Sequence, residues 1–182
     1  RNKIIDKCKL YNANSITINP QKIIGITKTS SVLLVNDVEH LVETFKTGLP
    51  YIYTPNNSLN LGEIGIQGSR SAEIIKLWLG LRSLGISGIE NILNSAIDKR
   101  KLFENYLNKS KFDVFSGPLH IISILPRGLV NEASDKWTID AQQFLIKKEF
   151  MVSRPFYQKK FHLRLVFGNY NTKDDDIKKL SQ

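Results

Sequence analysis

A chain of 182 residues, 41% hydrophobic and 24% charged, can bury a sizeable core, and this composition excludes disorder over most of its length. Lys and Arg outnumber Asp and Glu by 26 to 17, a formal net charge of +9. The basic residues are scattered, their tightest groups being Lys99-Arg100-Lys101 and Lys159-Lys160. With no helix-turn-helix, zinc-finger or RNP pattern, a solvated basic surface is expected and no nucleic-acid partner.

The lone Cys8 excludes an internal disulfide, and no Cys/His cluster has zinc-site spacing. No metal and a reducing, cytoplasmic setting are therefore expected. The most apolar stretch, residues 74–84, is interrupted by Lys76, Gly80 and Arg82 and falls far short of the ~20 residues that span a bilayer. No membrane association is expected. The first residues mix charge signs without an apolar run, unlike a signal peptide. The chain starts with Arg1, which points to a parent reading frame or polypeptide that begins earlier.

In chain order, residues 14–19 alternate and are β-branched, which predicts a strand stopped by Pro20. Ser31–Val35 reads as a second strand, buried on both faces by its continuous apolar run. Asn36-Asp37 then caps a helix to about Thr47, closed by Gly48 and Pro50. Residues 49–68 have no period, and a loop of that length is usually functional or mobile. Ser69 opens a helix to about Leu84, and Gly85 ends it. The capping box Ser87-Gly88-Ile89-Glu90 starts another, running to about Asn108.

Strands are predicted at 112–116, 120–125, 150–156 and 161–167, with a helix over 139–148 between the second and third. A last helix begins at Thr172, its Asp174, Asp175 and Asp176 suited to the positive end of the helix dipole. From about residue 110 the pattern is a small α+β unit with helices on one side of a mostly antiparallel sheet.

Among candidate reactive groups, Lys22 follows a strand and a proline stop, near Asn19, Gln21, Thr27, Thr29, Ser30 and Ser31. A lysine that forms a Schiff base must be partly neutral, and nearby amides and hydroxyls can bind a phosphate. On composition alone, a surface lysine in a turn is the commoner case.

The segment Ser15-Ile16-Thr17-Ile18-Asn19-Pro20-Gln21-Lys22, followed by Ser30-Ser31-Val32-Leu33-Leu34-Val35, resembles the cofactor-lysine segment of the group II pyridoxal-phosphate-dependent amino-acid decarboxylases. Glutamate, cysteine-sulfinate, aromatic-amino-acid and histidine decarboxylases belong to that family. A second block, Gly68-Ser69-Arg70 with Lys76-Leu77-Trp78 and Leu84-Gly85 through Gly88, is similar to a second family block. A third, Phe161-His162-Leu163-Arg164-Leu165 with Asn169 and Thr172, matches the family's C-terminal end. The resemblance covers nearly the whole chain but less than half of a typical member.

The resemblance implies an α/β fold, the pyridoxal-phosphate-dependent transferase fold type I in part. Residues 1–68 would be the C-terminal part of the large cofactor-binding domain, with a mobile loop at about 48–60. Residues 69–108 would be connecting helices, and 109–182 the C-terminal small α+β domain. It implies pyridoxal phosphate as cofactor, decarboxylation of an amino acid to an amine and carbon dioxide, and a homodimer for the intact enzyme.

By position, Lys22 would hold the cofactor and Asn19 would contact its phosphate. Gln21 stands where the family usually has histidine, and its amide can still donate a hydrogen bond. Tyr51 falls at the mobile-loop tyrosine that closes over the site and protonates Cα, with Tyr53 two residues away as the alternative. Arg164 matches an arginine with which some acidic-substrate members pair the substrate carboxylate; the alternative is a strand arginine paired with a structural acid. Arg70 reads as structural or interfacial, and His120 and His162 as ordinary strand residues.

The groups that stack on the cofactor ring and pair with its nitrogen belong to the family's preceding part, so this chain alone is expected to be inactive. The alternatives are a non-catalytic remnant or interaction module of decarboxylase descent and, from another class, a basic nucleic-acid-binding domain.

Overall fold

The computed structural model describes residues 9–27, 30–48 and 60–182. The chain divides into two compact units, Arg1–Ser83 and Leu84–Gln182, each taken by itself below.

In the first unit, β1 (Ser15–Ile18) pairs antiparallel with β2 (Val32–Val35), Ile16 opposite Leu34 and Ile18 opposite Val32. Pro20 ends β1 as predicted and also opens the short helix α1 (Pro20–Ile23), where its missing N–H costs nothing. Helix α2 (Glu39–Phe45) starts behind Asp37, whose Oδ1 accepts from the Glu39 N–H at 3.0 Å. A 3-10 turn follows at Leu61–Glu63, with the Asn60 side chain accepting from the Gly62 N–H at 2.9 Å.

Helix α3 spans Ile74–Tyr106 but contains Gly85 at φ 61, ψ 179, a backbone no helix contains. The predicted break at Gly85 is therefore present, while the helix before it begins at Ile74 and not at Ser69. Gly80 lets that first segment pack closely: a Cβ there would come within 2.0 Å of Ile26 Cδ1.

The burial predicted for the second strand is corrected. Leu33 and Leu34 of β2 are 53% and 49% exposed. A continuous apolar run reads as doubly buried only when layers cover both faces, and within the described residues β2 has one strand partner and no covering layer.

The second unit has the α+β architecture expected of it. A three-stranded antiparallel sheet has the order β3 (Phe112–Ser116), β4 (Ile121–Pro126), β7 (Leu163–Val166). One face carries Ile122, Ile124, Leu163 and Leu165, all buried against Phe103 of α3, Leu107 just beyond it and Ile177 of α5 (Asp174–Leu180). Trp137, Ala141 and Leu145 of α4 (Asn131–Lys147) cover the same core. Phe103 and Phe167 meet inside it with ring centroids 5.4 Å apart.

Two sequence readings are adjusted here. Helix α4 starts at Asn131 and not near Ile139; its early buried positions are Ser134 and Thr138, polar residues that interrupt the apolar period. Thr138 is accommodated by donating to the Asp135 carbonyl at 2.8 Å and accepting from Arg154 Nε at 2.7 Å. The strand predicted at 150–156 reduces to a bridge between Ser153 and Arg164 and to β5 (Phe156–Tyr157), which forms a hairpin with β6 (Lys160–Phe161).

Candidate functional site

In the first unit, β1 delivers the chain into α1, so Asn19, Gln21 and Lys22 fall within one turn at the strand's end. Asn19 Oδ1 accepts from Ser31 Oγ at 2.8 Å, which ties this turn to the start of β2 and leaves the Asn19 amide N–H groups free to donate. The Lys22 side chain is exposed and makes no hydrogen bond or ion pair among the described residues. Gln21 Oε1 is buried without a partner among the described residues, and an amide oxygen and nitrogen exchange places on a simple flip. The set therefore offers an accessible primary amine beside two carboxamides and a hydroxyl.

That donor set fits pyridoxal phosphate. An amine can attach its aldehyde, and Asn and Gln amide N–H groups donate to a phosphate without competing carboxylates. Thr29, Tyr51 and Tyr53 lie outside the described residues. Arg70 clamps its own loop, its Nη2 donating to the carbonyls of Leu61 at 2.8 Å and Gln67 at 2.7 Å.

In the second unit, Arg164 lies on the face of β7 opposite the core, between the buried Leu163 and Leu165. Its backbone pairs with Ser153 in both directions, at 2.7 and 3.0 Å, and its Nε donates to Ser153 Oγ at 3.0 Å. No structural acid pairs with it among the described residues. His162 is 2% exposed, with Phe115 5.2 Å and Tyr157 5.9 Å away between ring centroids, and neither ring nitrogen has a partner among the described residues. His120 is half-buried, its Nδ1 unpartnered, and burial holds its imidazole below the ordinary value of 6.5.

Among the described residues no cluster of His, Cys, Asp and Glu could hold a metal ion. No described helix is long and apolar enough to cross a membrane. Sequence reasoning passed over Ser123 and Ser153, the cross-strand neighbours of Arg164, because strand register is invisible until pairing is known.

The pyridoxal-dependent decarboxylase conserved domain matches residues 6–122, more than half of the chain. An aromatic-L-amino-acid decarboxylase of Bacillus atrophaeus is 23% identical over 178 residues, 92% of this chain and 37% of that protein. Among solved structures, Oryza sativa TDC with PLP and tryptamine superposes with a TM-score of 0.81 at 18% identity, over 96% of this chain and 38% of that one. Catharanthus roseus tryptophan decarboxylase in complex with L-tryptophan gives 0.77 at 18% identity, over 97% and 38%. Mouse CSAD in its apo form gives 0.69 at 21% identity, over 92% and 38%. These neighbours share the fold type I of pyridoxal-phosphate-dependent decarboxylases, of which this chain spans well under half.

Proposed function

Because this chain belongs to the pyridoxal-dependent decarboxylase family, we propose that it forms the C-terminal part of an enzyme that converts an amino acid to an amine and carbon dioxide. The observation that carries the reading is Lys22: an accessible amine with no acid partner among the described residues, one turn beyond β1, beside the Asn19–Ser31 pair.

In this reading Lys22 Nζ would hold the cofactor through its aldehyde, and the Asn19 and Gln21 amides would donate to its phosphate. The cofactor, when bound, supplies the electron sink for the pair left at Cα as carbon dioxide departs. Arg164 holds a substrate carboxylate through its Nη donors, since Nε is already engaged by Ser153. The family resemblance would give the return of the proton to Cα to Tyr51 or Tyr53, both outside the described residues. Residues 1–68 would be the end of the large domain, 69–108 the connecting helices and 109–182 the small domain. The lone Cys8 and the family resemblance support a cytoplasmic homodimer.

The test is attachment. Incubation of the intact protein with pyridoxal phosphate, borohydride reduction and peptide mapping should place the label on Lys22, and Lys22→Ala should remove both the label and the visible absorption of the bound cofactor. A label on another lysine, or none, overturns the reading. In the no-label case the exposure of Leu33, Leu34 and Trp78 favours the second reading, a non-catalytic interaction module of the same descent.

A further inference from the structure

The outer face of the three-stranded sheet carries one aligned row across four neighbouring segments. Phe115 on β3 lies opposite Ser123 on β4, Ser123 opposite Arg164 on β7, and Arg164 opposite Ser153. Adjacent strands are about 4.8 Å apart, and directly opposite side chains have Cβ atoms within about 5.5 Å. Register therefore sets a serine on either side of Arg164, with an aromatic residue at the end of the row.

The four arginines of this unit differ in how their charge is met. Arg100 pairs with Glu104 and donates to the Leu119 carbonyl at 3.0 Å. Arg127 pairs with Asp113 at 2.8 Å, and Arg154 lies 3.7 Å above the Phe161 ring. Arg164 alone has neither an acid nor a ring among the described residues; its single side-chain bond is from Nε to Ser153 Oγ. A half-buried guanidinium fixed at Nε, with both Nη groups unspent, presents a planar fork that matches a carboxylate.

We propose that this row is a carboxylate subsite in which Ser153 is a positioning residue for Arg164. Ser123, whose hydroxyl has no partner among the described residues, is the second donor to the ligand. Phe115, 45% exposed and braced by the His162 ring at 5.2 Å, supplies an apolar wall. The ligand class is a carboxylate that also carries an aromatic or large apolar group. The proposal rests on the reading of Arg164 as a carboxylate holder, and it adds how that arginine is aimed and what the rest of the ligand touches.

Three probes separate the parts: indolepropionate, propionate and tryptamine, titrated into the intact protein by calorimetry while the Arg164 Nε–H resonance is followed by NMR. Indolepropionate should bind more tightly than propionate and shift that resonance, and tryptamine should leave it unmoved. Ser153→Ala should weaken indolepropionate about three- to tenfold, the range of one hydrogen bond, and broaden the Nε–H signal without altering tryptamine. Ser153→Thr, which keeps the hydroxyl, should restore both. Ser123→Ala should weaken both carboxylates and leave the Nε–H signal sharp. If Arg164→Lys binds indolepropionate like the parent, the carboxylate reading of Arg164 fails. If Arg164→Lys weakens binding but Ser153→Ala and Ser123→Ala do not, only the row fails. Equal binding of propionate and indolepropionate removes Phe115 from the subsite and overturns the ligand class.

Discussion

Leu84–Gln182 buries one face of its sheet under three helices, with Phe103, Ile122 and Ile177 almost fully enclosed. In the unit ending at Ser83, Ile26 and Leu77 are the buried apolar side chains among the described residues apart from Pro20, and Trp78 of α3 is 58% exposed. Both regions have local elements with good propensity, so propensity does not explain the difference. Layers do. A two-stranded ribbon has no face to close against without a further layer, whereas three strands under three helices enclose a core. The first region carries Lys22, and the relatives that share its fold have well over half of their length outside the part this chain matches.

That contrast can be broken most forcefully at Phe103. Phe103→Ala should destabilise the second unit by about 3–5 kcal/mol in a denaturant melt followed by Trp137 fluorescence. A change below about 1 kcal/mol would mean that the core is not where the stability lies. The next effect is electrostatic. Glu104→Ala leaves the Arg100 guanidinium, 7% exposed, without its acid, and should cost about 3 kcal/mol by the same melt. Glu104→Gln keeps a hydrogen-bond acceptor and should cost less.

On the other side of the contrast, the double change Leu33→Ser and Leu34→Ser should alter the stability of this chain by no more than about 0.5 kcal/mol, because both side chains are exposed. In a polypeptide that carries the rest of the relatives' fold, the same change should cost several times more. Equal small effects in both would show that nothing covers β2.

The smallest expected effect is from His120. Burial lowers its pKa in the folded state from the ordinary 6.5, so the unfolded chain takes up the proton first. Its contribution is complete above about pH 6.5 and declines as pH falls through 6.5 toward the folded value. Comparison of melts at pH 7.5 and 5.5 should show a larger drop for the parent than for His120→Gln; equal drops would remove His120 as the cause.

Much of the fold was legible along the chain. Strands 14–19, 112–116 and 120–125, the stop at Pro20 and the break at Gly85 came from alternation, proline and glycine, all properties of a few consecutive residues. The helix Asn131–Lys147 was read short because Ser134 and Thr138 sit on its buried side, and a buried hydroxyl looks exposed in sequence. The strand expected over 150–156 survives mainly as the Ser153 bridge, since pairing depends on what lies alongside.

The sequence by itself determined the family, through three ordered blocks, and with it the cofactor chemistry and the candidate roles of Lys22, Asn19, Gln21 and Arg164. Local order is enough for that, because a motif is a set of neighbours along the chain. Tertiary structure decided the rest: that Asn19 is tied to Ser31, that Leu33 and Leu34 are exposed, and that Arg164 stands between Ser123 and Ser153 with no acid partner among the described residues. These depend on register and layering, which bring together residues as far apart as Ser123 and Arg164, and no local pattern encodes that distance.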